Sequence, residues 1–137
     1  MNLWIGAELE ADVADSFREA RKRVENAVNR VILSKSYNLP LNNWDCIAIV
    51  RADKHFAERV RYSGKSHEMD FRLCINHTEF KAANSPQQDK MIFIMLQRSL
   101  ELLAGKISSS AALKELQSDL LIAEKNAVAE NLQPTQE

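Results

Sequence analysis

A chain of 137 residues with 45% hydrophobic content suits one domain around one core, because a chain of this size has too little to bury around a second. Its 18 basic and 19 acidic residues, net charge -1, disfavour a general nucleic-acid binder, which carries an excess of Lys and Arg for phosphate contacts. No apolar run approaches the roughly 20 residues of a bilayer span, and Met1 leads into Leu3, Trp4 and Ile5 without a basic region or a cleavage site, so a soluble, cytoplasmic protein is expected.

Leu3, Ile5, Ala7 and Leu9 alternate with Trp4, Gly6 and Glu8, which predicts a short first strand. From Glu10 to about Ser34 the period changes. Val13, Phe17, Ala20, Val24, Ala27 or Val28, and Val31 recur at three- and four-residue steps, as on a long amphipathic helix. Acidic Glu10, Asp12 and Asp15 at its start and basic Arg30 and Lys35 at its end complement the helix dipole. Tyr37 to Asn43, with Pro40 and the Asn42-Asn43 pair, reads as a loop.

Trp44, Cys46, Ala48 and Val50 then alternate with Asp45, Ile47, Ile49 and Arg51. Both sets are mainly apolar, so this strand is expected to be central and covered on both faces. After Asp53-Lys54 come Phe56, Glu58, Val60 and Tyr62, alternating with Ala57, Arg59 and Arg61. Met69, Phe71, Leu73 and Ile75 follow, alternating with Asp70, Arg72, Cys74 and Asn76. Ser63 to Ser66 separate the two runs, which predicts an antiparallel hairpin around Gly64 with charged positions partly exposed on one face.

Ser85-Pro86-Gln87-Gln88 announces a second helix, with Ser85 as cap, Pro86 in the first turn and Gln88 completing a capping box. Its body holds Ile92, Phe93, Leu96, Leu100 and Leu103, and Gly105 marks its end. A third helix starts between Ser108 and Ser110 and carries a stripe of Leu113, Leu116, Leu120, Ala123 and Ala127. The last residues, 133–137, are expected to form a flexible tail beyond a single domain over residues 1–132. The order is strand, helix, three-strand meander, two helices. It predicts an α+β fold with a four-stranded, mainly antiparallel sheet and helices mainly on one face. An open sheet face or edge would be a natural docking surface.

Catalytic chemistry finds little support. His55, His67 and His77 lack the paired spacing of a familiar zinc site, and no metal or cofactor is expected. The carboxylates Asp45, Asp53, Glu58, Glu68 and Asp70 read as solvated strand residues rather than a general acid-base pair. No serine sits in a Gly-x-Ser-x-Gly elbow, and neither Cys46 nor Cys74 has a nucleophile's local signature, so buried thiols are expected and enzymatic activity is not. Arginines on the long helix and on the hairpin are interleaved with acidic residues, as on mixed-charge solvated faces rather than an RNA-binding surface. Trp4 and Trp44 read as core or core-rim residues, with an interface role as the alternative.

The run Trp44-Asp45-Cys46-Ile47-Ala48-Ile49-Val50, the hairpin from Glu58 to Tyr62 and Met69 to Ile75, His77-Thr78-Glu79-Phe80, and the leucine-rich helix through Arg98-Ser99-Leu100 together resemble a known group. They are similar to the small α+β immunity proteins of bacterial polymorphic toxin and contact-dependent growth inhibition systems. The resemblance implies a non-catalytic antidote that binds the C-terminal domain of a cognate toxin, commonly a nuclease, and masks its active site or substrate-binding surface. No direct nucleic-acid or membrane partner is expected, on the charge and hydropathy grounds above. A regulatory or adaptor module is the nearest alternative, and a small RNA-processing enzyme the more distant one. Two contact surfaces are expected on charge grounds. Glu8, Glu10, Asp12 and Asp15 could face a basic cleft, with helix-start electrostatics as their plainer reading. Glu58, Arg59, Arg61, Glu68, Asp70 and Arg72 on the hairpin form the second.

Overall fold

The computed structural model describes residues 1–39, 43–51, 58–63, 68–108 and 110–132. Strand-period alternation at the start of the chain forms β1 (Asn2–Leu9), and a 3-10 turn (Ala11–Val13) leads into α1 (Ala14–Ile32). Two further strands of alternating pattern, β2 (Asn43–Val50) and β4 (Glu68–Cys74), flank in sequence the shorter β3 (Arg59–Ser63). Three helices complete the chain: α2 (His77–Ala82), α3 (Ser85–Ala104) and α4 (Ser110–Leu132).

The fold is α+β, but the sheet is mixed rather than mainly antiparallel. Its order is β1-β2-β4-β3, with β1 parallel to β2, β2 parallel to β4, and only β3 antiparallel to its neighbour β4. The expected meander therefore does not form. The β3–β4 hairpin does pair as predicted, although its tip at Gly64 lies outside the described residues. It is β4, however, that lies against β2, while β3 takes the edge. The composition accounts for this placement: Phe71 and Leu73 of β4 bury fully, whereas Arg59 and Arg61 of β3 stay hydrated at an edge, where charge also discourages unwanted pairing. Once β3 lies outermost, the hairpin reversal leaves β4 running parallel to β2.

One face of the sheet presents Leu3, Ile5, Trp44, Cys46, Ala48, Val50, Phe71 and Leu73 to the core. Helices α1 and α3 cover it, and α4 packs against both. Trp44 is wholly buried, and its Nε1–H donates to Ser99 Oγ of α3 at 3.0 Å, so the indole's polar atom costs nothing to bury. The α4 stripe is buried at each expected position, Leu113, Leu116, Leu120, Ala123 and Ala127. Buried carboxylates lie at the helix contacts. Asp89 of α3 accepts from the guanidinium of Arg23 on α1 at 2.9–3.1 Å. Asp119 of α4 accepts from Lys35 at 2.9 Å and from the Tyr37 hydroxyl at 2.5 Å.

Two local features differ from expectation. The capping box of α3 lies one residue earlier than Ser85 and Gln88: Asn84 accepts from the Gln87 N–H, and the Gln87 side chain accepts from the Asn84 N–H, both at 3.0 Å. Asparagine, with an acceptor one bond farther from the backbone, takes the cap and leaves Ser85 as the first helical residue. The short α2 was unforeseen, yet it carries the same signal: Asn76 accepts from the Glu79 N–H at 2.9 Å.

The outer edge of β1 is sealed by α1. Leu3 N–H donates to Asn29 Oδ1 at 2.8 Å and Leu3 C=O accepts from Asn29 Nδ2 at 3.1 Å; Ile5 N–H donates to Glu25 Oε2 at 2.7 Å and Ile5 C=O accepts from Arg21 Nη1 at 3.2 Å. Three side chains one helical turn apart thus replace a missing strand.

Candidate docking face of the sheet

The sheet's second face carries the complementary alternation. In register, Trp4, Asp45, Asp70 and Arg61 form one row across the strands, Gly6, Ile47, Arg72 and Arg59 the next, and Glu8, Ile49 and Cys74 a third. None of the described helices packs on it. The expectation that β2 is covered on both faces is therefore corrected in part: it is an inner strand and Ile49 on this face is buried, but Ile47 is only half-buried. The apolar second face of β2 suggested a covering layer, whereas neighbouring side chains and exposure share that role here.

Trp4 is 49% exposed, and its ring lies close over the backbone of Gly6, where an added Cβ would stand 2.6 Å from Trp4 Cη2. The glycine thus makes room for the indole to lie flat, presenting a rigid aromatic plate of the kind that anchors interfaces. Toward β3, Ile47, Val60, Arg59, Arg61, Asp70 and Arg72 line a depression of about 400 Å³. At the C-terminal end of the parallel strands, Glu8 gathers Arg72 at 2.5 Å and Arg51 at 3.9 Å.

Of the sequence-predicted contact residues, the structure brings Glu8, Arg59, Arg61, Asp70 and Arg72 onto this one face. Glu68 pairs with Ser63 at the hairpin end of β4, and Glu58, just before β3, holds Arg98 of α3 at 3.2 Å. The four acidic residues near the chain start do not form one patch. Glu8 belongs to the sheet face, exposed Glu10 lies in the turn after β1, and Asp15 pairs with Arg18 at 3.3 Å. Asp12 faces α2, 2.9 Å from His77 Nε2 and 3.0 Å from Lys81 Nζ. Hydrogen bonds from His77 and then Lys81 hold its carboxyl down at about 2.

Sequence reasoning passed over Ile47, counted as core, and Arg51, whose partner Glu8 is distant in sequence. The parity shared by Ile47 with Asp45 was the available signal. The cysteines lie on opposite faces: Cys46 is buried toward the helices, its thiol pushed far up by desolvation, and Cys74 is exposed on the open face. Neither forms a disulfide, and buried placement holds for Cys46 alone. His55 and His67 lie outside the described residues, and His77 begins α2, bound to Asp12. Among the described residues no group of three His, Cys, Asp or Glu side chains could hold a metal, and no helix is long and apolar enough to cross a membrane. What this face offers chemically is an aromatic plate, an apolar floor and cationic rims: the makings of recognition.

A family model described as Immunity protein 44 matches residues 1–130 of the chain. A search of curated proteins and a search of solved structures each returned no match.

Proposed function

The chain belongs to the Immunity protein 44 family, and from that membership we propose that it neutralises a cognate bacterial toxin domain by binding it and covering its active site or substrate-binding surface. We take the target to be the C-terminal domain of a polymorphic or contact-dependent growth inhibition toxin, with nuclease activity, met in the cytoplasm. The protein acts by occlusion, with no bond made or broken by its own side chains.

The observation that carries this reading is the open sheet face. A four-stranded sheet with helices on one side and a half-buried aliphatic residue, a flat indole and several arginines on the other presents the composition of an interface core, in which aromatic residues and arginine are enriched. Its backbone is held by the ladder and by the sealed β1 edge, so little ordering is needed on binding. Charges at the rim would speed encounter and reject noncognate toxins, whose charges would be left unpaired.

The test is co-expression with a toxin domain, sought among the genes that neighbour this one, together with purification of the pair. Restored growth and a complex that survives gel filtration are expected. Growth arrest despite soluble protein, with no complex formed, would remove the immunity assignment for that pair.

A further inference from the structure

We infer that Arg59 and Arg61 are the receptor for carboxylate side chains of the toxin domain, so that this face binds an acidic segment of its partner. The inference rests on the immunity reading above and specifies what the partner must bring. Arg59 and Arg61 lie two residues apart on β3, on the same face, about 7 Å apart along the strand. Every other arginine of the chain is engaged, for example Arg72 and Arg51 by Glu8, Arg23 by Asp89 and Arg98 by Glu58. Among the described residues Arg59 and Arg61 have no hydrogen-bond or ion-pair partner.

Their surroundings sharpen the point. Arg59 stands directly across from Arg72, whose charge Glu8 already takes up, so the residue opposite Arg59 brings it a like charge and no carboxylate. Arg61 stands across from Asp70 without an ion pair between them. Both arginines border the depression floored by Ile47. An incoming carboxylate would find two planar donors and a partly apolar setting, in which charge-assisted bonds are stronger than in open water. Asp70, carrying no ion pair of its own, would repel a continuous polyanion but accept a donor from a protein segment of mixed charge. That contrast, with the chain's net charge of -1, favours an acidic peptide surface over a nucleic-acid backbone.

The test is titration of the cognate toxin domain with wild type, R59E/R61E and the milder R59Q/R61Q. The glutamate variant should bind about 30-fold more weakly or worse, with a thermal midpoint near that of wild type, since R59E relieves the like-charge pair with Arg72 while R61E sets a carboxylate opposite Asp70, and wild-type affinity should fall as salt rises. Should R59E/R61E fold poorly, R59Q/R61Q decides by the same loss of affinity. Wild-type binding unchanged in both variants would overturn the inference while leaving the immunity reading intact. A wild-type protein that neither binds nor protects would overturn both. A single-stranded RNA forms the third arm: capture of RNA through Arg59 and Arg61, with toxin affinity unchanged, would assign the pair to phosphate and refute the inference.

Discussion

At the scale of single residues, Asp12 shows how a locally sensible role and a tertiary one coincide. Its position before α1 suits the helix dipole, as the sequence suggests. Its contacts with His77 and Lys81 come from a helix more than sixty residues later and were invisible in the pattern. Because the folded carboxyl titrates at about 2 rather than 3.8, its stabilisation is fully present above the unfolded value and is lost as pH falls through the folded one. Asp12→Asn should therefore flatten the acid side of a urea stability profile between about pH 4 and pH 2. A profile parallel to that of wild type across this window would contradict the assigned contacts. Trp44 and Ser99 show the limit of residue reading: both types bury well once bonded to each other, yet neither announces its partner.

At the scale of elements, hydrophobic period was a faithful guide. The strand and helix alternations found β1, β2, β4, α1, α3 and α4, because each regular conformation repeats its buried face at its own period. The six-residue α2 escaped because it is too short to show a period; only Asn76 with Glu79 marked it. The seal on β1 was equally hidden. Asn29, Glu25 and Arg21 look like solvent-facing helix residues, and only docking of α1 beside β1 gives them backbone partners. Asn29→Ala removes one acceptor and one donor from the Leu3 peptide groups. It should lower unfolding stability by about 1–3 kcal/mol in urea titration. The Asn29→Ala, Glu25→Ala double variant should in addition aggregate faster, since it reopens a strand edge. Unchanged stability in the single variant would mean that water replaces Asn29 without penalty.

At the scale of the whole molecule, the two faces of the sheet separate core from contact surface, and the cysteines report on each. A maleimide should label exposed Cys74 in the native protein and reach Cys46 only on unfolding, as mass spectrometry of the intact chain would show. Carrying a bulky adduct on the open face, the Cys74-labelled protein should retain its circular dichroism spectrum yet lose affinity for the toxin domain. Full affinity after complete labelling would place the interface elsewhere.

The kind and sequence limits of most elements, the apolar stripes of the helices and the concentration of charge on the hairpin followed from the chain alone, because each depends on neighbours a few residues apart. Strand order, the open side of the sheet and the lack of a partner for Arg59 and Arg61 among the described residues were settled only by tertiary structure. Whether β3 or β4 lies against β2 compares packing energies between segments that a periodic pattern describes equally well. Whether an arginine is spent or spare depends on which carboxylate the finished sheet sets opposite it.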